Sequence, residues 1–169
     1  MGLLQTYQPK SLDTIVFRGH WWSPMFYVIL GRTSTAWEHA VVVRGATGSI
    51  YDARSSGVQL NNIKGYEGRY AAILRRKDID IIPMRDKVKM IAFGDQLVKD
   101  ENGYDFLALL GFLTGIKAFE DEHRYYCAEV PTWMFTYNNW PLFNGEPKFV
   151  YPSDLYQNRI FDIIAEGVM

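Results

Sequence analysis

The chain holds a single cysteine, Cys127, so no disulfide can form within it. That scarcity suits a reducing compartment, where thiols stay free. No apolar run is long enough to cross a bilayer. The longest, Phe106 to Leu113, falls short of the roughly 20 residues a spanning helix needs, and it contains Gly111. The segment MGLLQTYQPK lacks an apolar core and meets Lys10 early, so no secretory signal is expected. Charge of one sign is also missing. The formal net charge is -1, and the basic run Arg75-Arg76-Lys77 is closed by Asp78 and Asp80. Nucleic-acid binding asks for a concentrated positive face, so it is not expected. Internal repeats and low-complexity linkers are absent. The 169 residues suit one domain, 1–169.

What is present favours a packed interior. Hydrophobic residues make up 48% and charged residues 22%, which argues against disorder. Aromatics reach 15%, enough both to fill a core and to line a groove. The segments DTIVFRG (13–19), HAVVVRG (39–45), IYDAR (50–54) and YAAILRRK (70–77) read as strands, with a short one expected after Gly57. The ATGS stretch (46–49) reads as the turn of a hairpin. A helix is expected from Asp86, as its cap, to Lys99, with Val88, Ile91, Leu97 and Val98 on one face. Two more helices are expected, over Tyr104 to Leu113 and Cys127 to Tyr137. Pro131 is tolerated in the first turn of the latter. A closing strand is expected over 159–164. Strands, then helices, then a strand suggest an α+β fold.

Three residue types carry the chemistry. Cys127 opens a helix in RYYCAEVPTW, where free N–H groups and the helix dipole favour a thiolate and could hold an oxyanion. A lone cysteine is otherwise an ordinary small hydrophobe. A thiol nucleophile needs a base. Of the histidines, His123 sits in the charged stretch EDEHR and reads as a solvated loop residue, and His20 lies beside Trp21 and Trp22. His39 opens a strand that otherwise runs Ala-Val-Val-Val, a polar ring at the mouth of an apolar strand. It could equally be a satisfied core histidine. Asp52 lies across the hairpin turn and could accept the second imidazole N–H, fixing the tautomer. His39, Asp52, His123 and Cys127 can also be drawn as a zinc set, but none of them has the close paired spacing of a zinc hairpin. No metal and no cofactor is expected.

The stretch WEHAVVVRGATGSIYDARSSGVQL resembles the histidine hairpin of NlpC-type papain-like cysteine hydrolases. In that superfamily the cysteine helix commonly comes first. Here Cys127 follows His39, which resembles the circularly permuted, YiiX-like branch. DTIVFRG is similar to the opening strand of that branch, RYYCAEV to its (F/Y)CSE(L/V) motif, and YPSDLYQN to its late proline–aspartate–leucine turn. NGYDFLALLGF resembles its tyrosine-bearing segment. Ala128 stands where serine is usual. The third member here is an acid, where the superfamily often uses His, Asn or Gln.

The resemblance implies a circularly permuted papain-like fold, with an antiparallel sheet packed against a small helical subdomain. It implies a cysteine hydrolase acting on amide bonds, peptide or isopeptide, of cell-wall type. Cys127 is the nucleophile, His39 the base, Asp52 the orienting acid, and Tyr104 a contributor to the oxyanion site, a role for which Tyr125 and Tyr126 compete. A bacterial or bacteriophage source is implied; with no secretory signal expected, the expected location is cytoplasmic, or virion-associated for a phage protein. Two other readings stand beside this one. One is a non-catalytic virion or assembly component. The other is a lipid or ester acyl hydrolase or acyltransferase, whose acyl chain the tryptophans would suit. Asp52→Asn is expected to keep intermediate activity, because it keeps a hydrogen-bonding group.

Overall fold

The computed structural model describes residues 2–19, 31, 35–54, 56–100, 127–144 and 150–169. Six strands form one antiparallel sheet: β1 (Thr14–Arg18), β2 (Trp37–Val43), β3 (Ser49–Arg54), β4 (Gly57–Asn62), β5 (Tyr70–Arg76) and β6 (Phe161–Val168). Their order across the sheet is β4-β3-β2-β1-β5-β6. Among the described residues the α-helices are α1 (Leu3–Thr6), α2 (Met84–Lys99), α3 (Glu129–Thr136) and α4 (Pro152–Gln157). The secondary structure is therefore α+β. The expected helix over Tyr104 to Leu113 lies outside the described residues.

The apolar strands read as continuous runs because both faces of the sheet are covered. On one face Val16, Ala40, Val42, Tyr51, Ala72 and Leu74 meet Met90 and Leu97 of α2, Met134 and Phe135 of α3, and Leu155 of α4. On the other, Ile15, Phe17, Val41, Val43, Ile50 and Ile73 meet Leu3, Ile63, Tyr66 and Met169. Neighbouring residues alternate between the two clusters, as the pleat requires.

Helix α2 departs from the expectation in two respects. It begins at Met84, after Pro83, and no side chain caps it. Asp86 instead sits in the first turn and accepts from Trp140 Nε1 at 3.3 Å. The buried stripe is Met90, Gly94 and Leu97, while Val88 is exposed. Tyr51 accounts for the shift. It is fully buried, its hydroxyl donates to the Ile91 carbonyl at 2.9 Å and to Asp95 at 2.7 Å, and its ring lies under Gly94. A Cβ at position 94 would fall 2.7 Å from that ring. Asp95 also takes Arg44 in a two-pronged ion pair, at 2.7 and 3.0 Å. Strand β6 likewise starts later than expected and runs on to Val168.

Candidate active site

Strand β2 carries the first site residue past an irregularity. Phe17 of β1 faces His39, and the next residue, Arg18, faces Trp37. Glu38 is thus an extra residue on β2, a β-bulge that re-aims the side chains on either side of it. Regular alternation would put Trp37 and His39 on one face. Instead Trp37 packs with the helix-side cluster, while the His39 ring lies against Phe17 and Tyr66 of the opposite cluster.

Asp52 follows from the hairpin. Its Cα pairs with Val41, so it is the diagonal neighbour of His39 on the same face. The imidazole Nε2–H donates to Asp52 Oδ1 at 2.8 Å. The other carboxylate oxygen accepts from Arg54 Nε at 2.7 Å, Asn61 Nδ2 at 2.9 Å and Tyr66 OH at 2.8 Å. Asp52 has no exposed surface. Burial alone would raise its pKa, but the bonds from His39, Arg54 and Asn61 outweigh it and hold the carboxyl well below its usual range.

Cys127 is buried and sits two residues ahead of the first residue of α3, with Ala128 in helical conformation as the cap. The helix is shorter than the expected Cys127 to Tyr137, but its amino end still abuts the thiol. Pro131 falls at its third residue, where a missing N–H costs no intrahelical bond. Ala128 is fully buried, so the lack of a hydroxyl there leaves no polar group in need of a partner. Its carbonyl accepts from Thr132 Oγ1 at 2.8 Å.

The cysteine and histidine meet at the start of β2. Cys127 Sγ lies 4.0 Å from the carbonyl oxygen of the bulge residue Glu38, the neighbour of His39, close enough for its charge to act on the imidazole. With Nε2 given to Asp52, Nδ1 is the nitrogen left to face the sulfur. Burial pulls the His39 pKa down, but the charge of Cys127 and the Asp52 bond pull harder, raising it to about 9. The arrangement can hold an imidazolium between a carboxylate and a sulfur.

Sequence reasoning named Cys127, His39 and Asp52, and these three come together. Tyr104, the fourth, lies outside the described residues, as do His20, His123, Tyr125 and Tyr126. Arg54, Asn61 and Tyr66 were not named. Arg54 had a local signal, two residues along the strand from Asp52. Asn61 and Tyr66 had none. Among the described residues no three His, Cys, Asp or Glu side chains gather in a way that could hold a metal ion.

No protein-family model matches the chain, and no curated protein matches it. Among solved structures it is similar to yiiX from Escherichia coli O157:H7, described as a metalloprotein and as DUF1105. The two are 14% identical, with a TM-score of 0.70 over 95% of this chain and 98% of that one. The chain shares the fold of yiiX. At that level the likeness agrees with the YiiX-like resemblance drawn from the motifs.

Proposed function

We propose that this chain is a thiol hydrolase acting on amide bonds through Cys127, His39 and Asp52. The observation that carries the reading is the 2.8 Å bond from His39 Nε2 to Asp52, with Cys127 beside Glu38, the residue before His39, at the amino end of α3. A nucleophile in contact with a base that a third group orients is the working unit of acyl transfer. The thiol proton passes to His39 Nδ1 as Sγ attacks the carbonyl carbon, and the C–N bond breaks as Nδ1–H protonates the departing amine. Water then attacks the thioester and gives a proton to Nδ1; the C–S bond breaks, the acid leaves, and Nδ1 returns its proton to the sulfur. Asp52 keeps Nε2 protonated throughout, so that Nδ1 works on the sulfur side.

The order of His39 before Cys127 fits a circularly permuted papain-like arrangement, and peptide or isopeptide bonds of cell-wall type are the proposed substrates. The metal named for yiiX is not carried over. Both oxygens of Asp52 are engaged by four donors, one of them a guanidinium, which leaves it poorly suited as a metal ligand.

The test compares wild type with Cys127→Ala on model amides, peptidoglycan fragments and short-chain esters, with a thiol-directed amide probe located by mass spectrometry. Turnover of amides by wild type alone, with the probe on Cys127, is expected. Equal turnover by both proteins would exclude thiol catalysis. Turnover confined to esters would favour the acyl-hydrolase reading. An unlabelled Cys127 with no turnover would favour the assembly-component reading.

A further inference from the structure

The chain leaves β4 at one edge of the sheet and re-enters it as β5, on the far side of β3, β2 and β1. Residues 63–69 therefore cross beneath three strands. Tyr66 closes the 3-10 turn Ile63–Tyr66 in that crossing and is buried. It touches each strand it passes under. Its hydroxyl donates to Asp52 of β3 at 2.8 Å. Its ring lies 15° from parallel with the His39 imidazole of β2, centroids 5.8 Å apart, and stacks on Phe17 of β1 at 4.2 Å.

We propose that Tyr66 is a positioning residue of this site, whose hydroxyl and ring together fix Asp52 and His39 so that the imidazole presents Nδ1 to Cys127. The inference deepens the hydrolase reading and rests on it for the purpose of the Cys–His pair. A buried carboxylate with one oxygen on an imidazole can rotate about its Cβ–Cγ bond unless its other oxygen is held. Tyr66, Arg54 and Asn61 hold it. Arg54 is half exposed, so it is less constrained than the buried Tyr66. Tyr66 is enclosed, with Arg54 and Arg69 each 5.6 Å from its ring centroid. Burial and the charge of Asp52 raise the phenol's pKa, so it remains a standing donor through the neutral range.

Each donor on Asp52 also draws charge away from the oxygen that faces His39. Removing one should strengthen the carboxylate's hold on the imidazolium and raise the pH at which His39 loses its proton. The other groups around the ring are Cys127 ahead of α3, with Arg54 behind Asp52, and Glu38 and Arg69 paired beside it at 3.7 Å.

The test follows the His39 titration by NMR in wild type and Tyr66→Phe, with His39→Ala used to assign the signal, and measures the rate of Cys127 alkylation by iodoacetamide against pH. Phenylalanine keeps the ring and its stacking, so the fold should survive. Tyr70→Phe is the control, since Tyr70 bonds Glu166 at 3.1 Å instead of Asp52. The expected result is an upward shift of about half a pH unit in the His39 midpoint of Tyr66→Phe, a matching displacement of the alkylation profile, and neither in Tyr70→Phe. A lower melting temperature with an unmoved midpoint would overturn the proposal and leave Tyr66 a packing residue. A wild-type midpoint near the ordinary histidine value, still raised by Tyr66→Phe, would refute the thiolate pairing while upholding the role of Tyr66.

Discussion

Asp52→Asn removes one charge and nearly no volume, and the structure makes its consequence directional. An amide has one oxygen and one NH2. On the Oδ2 side wait three donors: Arg54 Nε, Asn61 Nδ2 and Tyr66 OH. On the Oδ1 side waits one, His39 Nε2–H. The amide oxygen will therefore turn toward the three donors, and the NH2 will point at His39. An N–H facing an N–H is repulsive, so the imidazole proton moves from Nε2 to Nδ1, where it blocks the nitrogen meant for the sulfur. The sequence-based expectation of intermediate activity is replaced by one of near abolition. The trypsin-type precedent for a wrong tautomer is a loss on the order of 10⁴. One amide oxygen also has only two lone pairs for three donors, and the charges on Arg54 and His39 lose their counter-ion. At about 1–3 kcal/mol for a lost charge-assisted bond or an unmet buried donor, a cost of about 3 kcal/mol is expected. For a chain of this size that lowers the melting temperature by about 6–12 °C. The assays are amide turnover, ¹⁵N shifts of the His39 ring to read the tautomer, and thermal unfolding. Asp52→Asn with a third or more of wild-type turnover and the proton still on Nε2 would refute the reasoning.

The raised pKa of His39 makes stability depend on pH. Its folded value of about 9 exceeds the ordinary 6.5, so its contribution is fully present below about pH 6.5 and is lost as pH rises through about 9. Denaturant melts across that window should show the fall, and Cys127→Ala should reduce it, leaving the part that the Asp52 bond supplies. Gly94→Ala should destabilise, because the new methyl meets the Tyr51 ring at 2.7 Å. About 1–3 kcal/mol of overpacking outweighs the gain of about 1 kcal/mol in helix propensity, and a raised melting temperature would contradict this. Arg76 is buried, pairs with Asp78, donates to the carbonyls of Trp140 and Pro141, and so ties the chain after α3 to β5. Arg76→Ala should cost about 3 kcal/mol by stranding those acceptors. Chemical denaturation would measure it, and a change under 1 kcal/mol would count against the tie.

The hairpin was legible because everything that shapes it is local. Alternation along β2 and β3 and the glycine turn between them set the separation at which Asp52 becomes the diagonal neighbour of His39. The strand Thr14–Arg18 and the strand after Gly57 followed from the same reasoning. Helix starts were less legible. Asp86 looked like a cap because a polar residue ahead of an apolar stripe suits that place, yet Pro83 already sets the chain turning into the helix. Val88 looked buried because periodicity tells which residues share a face, not where the neighbouring sheet lies.

Residue chemistry and short-range pattern determined an α+β chain with a thiol at a helix start and a histidine–aspartate pair across one hairpin. Three matters were decided only by tertiary structure. The bulge at Glu38 depends on how β1 pairs with β2, which no periodicity within β2 records. The approach of Cys127 to His39 depends on α3 packing against the sheet from far along the chain, a contact made by the whole core. The grip on Asp52 depends on the 63–69 segment passing beneath three strands, which brings Tyr66 under a carboxylate that precedes it by 14 residues. Local sequence sets backbone preference and face. Where a buried carboxylate finds its donors is set by the desolvation it must offset, and the residues that supply them come from wherever the fold places a crossing.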